Sequence, residues 1–301
     1  FFRTGATFNN SISVSGGTET VRTYFSYANS YSDGMMRNNN YKRNTLSFRQ
    51  SYSLFNKKLN VDLSLNYVQA KTKNRPGGGT VMNPLYDLYR MPRNVDLNYY
   101  KENYYIENGK WTSNEQSYFD SKNNKWTTGT VELTGPKQEW AYWQNGMNNP
   151  YWMVNTRNSI SEEERAYGYI SANYQIIDGL KIQGRLSLDR TKMKGTSERM
   201  ATTWNISAME DYGMYGQDLN WINEVYVDAL LSYDKQIKDF SISATTGWTG
   251  HTLKGETQKL WAKATTANWK HDTMPTLINF FEPSVSQGNV SERSEERRVG
   301  K

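Results

Sequence analysis

From Asn60 to Tyr67 every second residue is apolar: Val61, Leu63, Leu65 and Tyr67 alternate with Asp62, Ser64 and Asn66. Successive side chains of an extended chain point to opposite faces, so this pattern encodes a strand with one oily and one wet side. The pattern recurs. Leu46, Phe48, Tyr52 and Leu54 oppose Thr45, Ser47, Arg49, Ser51 and Ser53. Leu180, Ile182, Leu186 and Leu188 oppose Lys181, Gln183, Arg185, Ser187 and Asp189. Val225, Val227, Ala229, Leu231 and Tyr233 oppose Asp228, Ser232 and Asp234, and Phe240, Ile242, Ala244 and Trp248 oppose Asp239, Ser241, Ser243 and Thr245.

These runs predict about eight strands, at about 7–15, 21–31, 41–54, 59–71, 164–177, 179–190, 222–234 and 238–250. Their connections are unequal. Gly16-Gly17-Thr18-Glu19, Asn56-Lys57-Lys58, Asp178-Gly179 and Lys235-Gln236-Ile237 are tight, and Asp-Gly is a favoured hairpin dipeptide. The intervening connections are longer, and two are very long, at about 72–163 and about 191–221. Short turns on one rim and long loops on the other is the asymmetry of a membrane β-barrel, which a soluble sandwich has no reason to keep. The expected fold is therefore all-β: an antiparallel transmembrane barrel segment with short periplasmic turns and long extracellular loops.

Composition agrees. Only 36% of residues are hydrophobic, yet 14% are aromatic and 22 are Tyr. Disorder would predict few aromatics, and a soluble core would need more Leu, Ile and Val. No stretch approaches the roughly 18 apolar residues of a spanning helix. With no cysteine, disulfide frameworks and thiol chemistry are excluded. The net charge of +6 is dispersed along the chain, which argues against nucleic acid as a partner.

Energetics decide which face meets lipid. An Arg or Lys at the bilayer midplane costs roughly 2–4 kcal/mol. Arg49, Lys181, Arg185 and Asp189 are therefore expected to face the lumen. A one-residue slip would invert the whole set, so register is strongly specified. Aromatic girdles are expected from Tyr31, Tyr41, Tyr67, Tyr167, Trp221 and Trp248 on the long-loop rim, and from Tyr52, Phe55, Tyr174, Tyr233 and Phe240 on the other.

Several segments also carry a resemblance. Ser11-Ile12-Ser13-Val14-Ser15-Gly16-Gly17-Thr18-Glu19, followed by Tyr24-Phe25-Ser26-Tyr27 and Asp33-Gly34, closely resembles the opening barrel hairpin of the SusC/RagA family of TonB-dependent receptors. The runs Tyr41 to Phe48 and Leu59 to Asn66 are similar to the next two strands of that family, and Asn83 to Pro92 to its first large loop. The resemblance extends from about Gly5 to about Gly255. It implies import of glycans or peptides across the outer membrane of Bacteroidetes-like bacteria, with a SusD-like surface lipoprotein as lid and the TonB complex as energy source. Family barrels have about 22 strands around a plug. Here there are about eight and no plug, so the segments that would contact TonB lie outside this chain.

No catalytic residue, metal site or cofactor is expected, and the chain does not read as an enzyme. His251 and His271 read as lone solvated side chains in a loop, with no ligand spacing. Glu162-Glu163-Glu164 reads as a charge run at a loop–strand junction, and Gly77-Gly78-Gly79 lacks the Lys-Ser/Thr of a phosphate loop. Asn205-Ile206-Ser207 fits a glycosylation pattern that arises by chance and means little in a bacterial chain.

The long first loop is the candidate substrate- or partner-binding element, through Trp111, Trp126, Trp140, Tyr142, Trp143, Tyr151 and Trp152 with Gln144-Asn145 and Asn148-Asn149. Flat rings suit sugar or peptide surfaces, and amides orient hydroxyls or backbone. Packing of the loop upon itself is the other use of such rings. A surface or secreted soluble β-protein binding glycans through the same aromatics is the alternative function. Residues 1–291 read as one partial barrel. From about 292 the composition breaks, and Ser294 to Lys301 resembles translated adaptor DNA, so 292–301 is expected to be a non-native tail.

Overall fold

The computed structural model describes residues 1–77, 79, 82–112, 116–130, 132–141, 146–205, 208–210, 213–237, 239–262 and 286–299. Its main body is one antiparallel sheet of 9 strands. The strands are β1 (Ala6–Gly17), β2 (Val21–Asp33), β3 (Asn40–Leu54), β4 (Leu59–Lys73), β9 (Asn158–Ile177), β10 (Leu180–Arg199), β13 (Met214–Ile237), β14 (Phe240–Ala262) and β15 (Ser286–Val299), paired in that order. The first long connection holds α1 (Pro84–Arg90), α2 (Leu97–Glu102), β5 (Tyr105–Thr112), β6 (Gln116–Asp120), β7 (Lys125–Gly129), β8 (Glu132–Gln138) and α3 (Pro150–Thr156). The second holds β11 (Thr203–Asn205) and β12 (Ala208–Glu210).

The ladder keeps the alternation in phase across the whole sheet. One row of partners runs Val14, Phe25, Phe48, Leu65, Gly168, Leu188, Val225. The neighbouring row, one residue along, runs Ser15, Tyr24, Arg49, Ser64, Tyr169, Ser187, Tyr226. Across these central rows the two faces are thus oily and polar. Gln50 breaks the pattern on the oily side, and there it accepts a hydrogen bond from the Thr23 hydroxyl at 2.7 Å.

The tight turns form a staircase. Val21, at the first turn, pairs with Tyr52, two residues short of the second turn at Leu54. Leu59 pairs with Tyr174, three residues short of the third at Ile177, and Leu180 with Tyr233, four short of the fourth at Ile237. This stagger is the shear that tilted barrel strands require. Gly179, with φ of 84°, makes the Asp178-Gly179 turn; a Cβ there would also meet the Asp234 carbonyl oxygen at 2.6 Å.

The eight expected strands are present, but they run further towards the long-loop rim. β9 begins at Asn158, β10 ends at Arg199, β13 begins at Met214 and β14 reaches Ala262. The loop expected over 191–221 therefore shortens to about 200–213. Backbone pairing continues where both faces of a hairpin meet water, whereas alternation is imposed only where one face meets something oily. Two further expectations change for the same reason: His251 lies within β14 rather than in a loop, and Glu162, Glu163 and Glu164 lie inside β9. The edge strand β15 takes in most of the stretch set apart by composition, pairing from Ala262↔Ser286 to Thr249↔Val299. Such pairing uses backbone groups alone and is indifferent to the break in composition.

The sheet has no apolar core of its own. Ile12, Val14, Leu65 and Leu188 stay more than half exposed, at 63%, 65%, 51% and 53%. The buried apolar cluster lies in the long loops instead, around Trp111, Leu133, Trp140, Met147, Trp152 and Met153.

Candidate functional site

The polar face of the sheet and the loop cluster above it are the two places where side chains converge. On the polar face, Arg185 Nε donates to Asp228 Oδ2 at 2.8 Å, and its guanidinium lies 5.4 Å from the Tyr226 ring centroid. Asp228 is only 3% exposed, so its charge is held almost entirely by that pair. One row up, Arg165 pairs with Asp189, and His251 Nε2 lies 2.8 Å from Glu224 Oε1. The Ser51 hydroxyl donates to Asp62 at 2.6 Å and the Ser47 hydroxyl to Asn66 at 2.8 Å. Serines, amides and ion pairs thus meet across strands on a wettable wall, while the second carboxylate oxygen of Asp228, Oδ1, is buried without a hydrogen-bond partner.

Register puts Arg49, Lys181, Arg185 and Asp189 on this polar face, each in phase with Ser64 and Asp228. It also puts there a set of tyrosines that the alternation pattern had not singled out: Tyr24, Tyr169 and Tyr226 share the row of Arg49, and Tyr167 that of Asp189. Parity along each strand is the signal that finds them. Tyr41 and Tyr167, expected in a girdle, face the polar side because they fall in phase with Arg43 and Arg165. Tyr31, Tyr67, Trp221 and Trp248 face the oily side, as do Tyr52, Tyr174, Tyr233 and Phe240 towards the tight turns. Phe55 sits in a tight turn and is 70% exposed.

The loop cluster is built on two Asn-Pro helix starts. Asn83 and Asn149 cap α1 and α3, accepting from the N–H groups of Leu85 and Tyr151, with proline at the first helical position in both. Asn149 is fully buried and continues a polar hub. Its N–H donates to Gln138 Oε1 at 2.9 Å, and its side-chain amide donates to the Glu139 carbonyl at 2.8 Å. Gln138 donates from Nε2 to the Thr202 carbonyl and to Asn148 Oδ1. Asn148 exchanges hydrogen bonds with the backbone of Trp204 at 2.7 and 3.0 Å. Thr202 is buried with φ of 65°, a left-handed conformation that a β-branched residue adopts only when surroundings over-determine it.

Around this hub pack the loop aromatics. Trp152 is 1% exposed, Trp140 and Tyr151 2%, and Trp111 4%. Phe1 meets Tyr151 edge-on at 5.3 Å, and Tyr100 meets Trp140 at 4.9 Å. These four candidate rings are buried and offer no open face to a ligand, and Trp152 reaches across to Thr203 of the second long loop. Asn148 does the same with its amide, at Trp204. Trp126 lies on β7, paired with Phe119. Tyr142, Trp143, Gln144-Asn145 and His271 lie outside the described residues, as does part of Asn205-Ile206-Ser207. Among the described residues Asp87, at 4% exposure on α1, is the loop carboxyl that burial pushes up to about 6, against hydrogen bonds from Asn148 and the charge of Arg90. Among the described residues no group of His, Asp and Glu could hold a metal ion.

Comparison with known proteins bears on the fold. The structure of the RagAB peptide transporter superposes with a TM-score of 0.59 at 17% identity. The RagAB peptide importer in its 'closed-closed' and 'open-open' states gives 0.62 at 19% and 0.62 at 18%. In each case 97% of this chain is covered but only 29% of the other, so the chain spans less than a third of those proteins' length. No protein-family model and no curated protein matches the sequence. The chain thus has an all-β fold, that of a barrel fragment, with one oily and one polar face.

Proposed function

We propose that this chain is a wall segment of an outer-membrane importer of the SusC/RagA kind. Its oily face meets lipid and its polar, tyrosine-bearing face lines the path of an oligosaccharide or peptide. The carrying observation is that eight consecutive strands present Leu, Ile, Val and aromatic side chains to a face that no described element covers, while the opposite face is hydrogen-bonded and ion-paired. In water a bare apolar face of that extent would aggregate. In a bilayer it is the required surface, and the continuous ladder satisfies the backbone that lipid cannot.

In this reading the role is passage and binding, not catalysis. A SusD-like surface lipoprotein would close the long-loop rim, and the TonB complex would act through segments beyond this chain. The structural likeness to a peptide importer favours peptides over glycans as cargo, and the Arg–Asp and Tyr lining suits backbone amides and charged side chains equally.

Fractionation and uptake in a host carrying the full-length protein test this. A heat-modifiable outer-membrane species, whose deletion abolishes uptake of labelled peptides or oligosaccharides, supports the reading. Recovery in the soluble fraction with retained glycan binding would instead establish the soluble lectin-like alternative.

A further inference from the structure

A belt of cations stands on the oily side of the sheet, immediately above the apolar band. Lys42, Lys71, Lys73, Arg190, Lys192, Lys194 and Lys254 share the parity of Leu46, Tyr67, Leu188 and Thr252, so they project outward rather than into the lumen. All but Lys73 and Lys194 are exposed. Measured from the tight turn of its own strand, each lies at nearly one level. Lys42 is twelve residues from Leu54, Lys71 and Lys73 twelve and fourteen from Leu59, and Arg190, Lys192 and Lys194 ten to fourteen from Leu180. Lys254 is fourteen from Phe240. With a rise of about 3.4 Å per residue and a tilt of about 45°, that is roughly 24–34 Å above the turns. The apolar band of such barrels is about 25 Å tall. The belt therefore sits where the outer-leaflet headgroups begin.

Asp33, Glu162 and Glu164 lie at the same level and Glu256 just beyond Lys254; Asp33 is paired with Arg3 at 3.3 Å and Lys71 with Glu162 at 2.7 Å, while Glu162 and Glu164 stand opposite Lys194 and Lys192, and the seven cations still outnumber these four carboxylates. Between β2, β3, β4 and β9 the level opens into a groove of about 430 Å³, with Asn29, Asn44 and Gln69 beside Lys42 and Lys71 and with Glu162, Glu163 and Glu164 along its β9 side, so the groove suits sugar hydroxyls and the phosphates fall to the cations of β10. Amides suit sugar hydroxyls, and ammonium groups suit phosphate.

We propose that this outward belt binds the phosphorylated sugar headgroup of an outer-leaflet glycolipid, seating the barrel in the membrane. The inference rests on the membrane orientation proposed above. The cations above the band, the amide-lined groove and the lipid-facing row beneath act together: acyl chains lie on the oily rows and the phosphates meet Arg190, Lys192 and Lys194.

The test uses the full-length protein in phosphatidylcholine vesicles doped with bisphosphorylated lipid A or with the same lipid dephosphorylated, and bound lipid is counted after extraction. Wild type should retain the phosphorylated lipid at least about tenfold better. Arg190→Gln/Lys192→Gln/Lys194→Gln together should remove that preference, at roughly fivefold per cation. Lys235→Gln, an outward cation beside the opposite rim, should change nothing. Should the triple variant fail to insert, Lys42→Gln and Lys192→Gln singly are expected to lose about fivefold each, and full retention by both overturns the proposal. So does an inserted wild type indifferent to phosphate, or one that carries an acidic protein on this belt in place of lipid. A wild type that never enters membranes sinks the transporter reading itself, which separates the two failures.

Discussion

The indole N–H of Trp152 donates to the hydroxyl of Thr203 at 2.9 Å across 51 residues of sequence, and joins the two long loops. Trp152 is 1% exposed and Thr203 2%, so the bond forms away from water. It closes a hub in which Gln138 and Asn148 tie one loop to Thr202 and to the backbone of Trp204 in the other, with Asn149 holding Gln138 in place. The loops thus form one packed cap that carries the apolar core the sheet lacks.

Removing that ring should release the cap. Trp152→Ala is expected to destabilise the loop core by about 3–5 kcal/mol, the usual range for a buried large aromatic. Thr203→Val should cost less, about 1–3 kcal/mol, for an indole N–H left unpaired. Limited trypsinolysis of the folded protein should show new cuts within 84–156 and 200–213 for Trp152→Ala, with the sheet still resistant. Unchanged protection would mean that the cap does not depend on this contact.

The cap should tighten in acid. Asp87 has a folded pKa of about 6 against an ordinary value of 3.8, chiefly through burial. The folded cap therefore holds a proton that the open cap releases. The stabilisation is complete below about pH 4 and lost as pH rises through about 6, on the order of 3 kcal/mol in all. Asp87→Asn should abolish the dependence and make the cap at pH 7.5 as protected as wild type in acid. Hydrogen–deuterium exchange of the segment 84–90 across that window, corrected for intrinsic rates, reads it directly. A slope of opposite sign would mean that Asp87 is ionised in the folded cap.

Neighbouring positions should respond oppositely to the same charge. Leu186 faces the oily side and Ser187 the polar side of β10. Leu186→Arg should lower barrel stability by roughly 2–4 kcal/mol, while Ser187→Arg should be nearly neutral. Urea titration of the heat-modifiable band in detergent or lipid compares them. Equal losses would remove the basis for assigning the faces.

The tyrosine-lined wall should set cargo preference. Arg49 shares a row with Tyr24 and Tyr169 on the polar face. Arg49→Glu is expected to slow uptake of acidic peptides several-fold relative to basic ones without altering membrane insertion, since like charges along a confined path repel. Identical profiles for both cargo classes would place the path elsewhere.

Alternation by itself determined the strands and their faces. Val61 through Tyr67 and Leu180 through Asp189 specify strands with unlike sides, and the charges of Arg49 and Arg185 mark the polar one, because a one-residue slip would exchange the two. Asp178-Gly179 specified a turn. The signal ended where its cause ended. Beyond Lys71 and Arg190 both faces meet water, nothing selects alternation, and strands that continue to Lys73 and Arg199 read as loop.

Tertiary structure alone decided what the loop aromatics do. A tryptophan among asparagines reads equally as a ligand platform or as a buried ring, and only the approach of residues 202–204 to α3 made Trp152 and Asn149 a core. The outward belt of lysines was equally hidden, because its level depends on the staircase of turns. Stagger between hairpins is set by pairing over the whole sheet, and no single strand contains it.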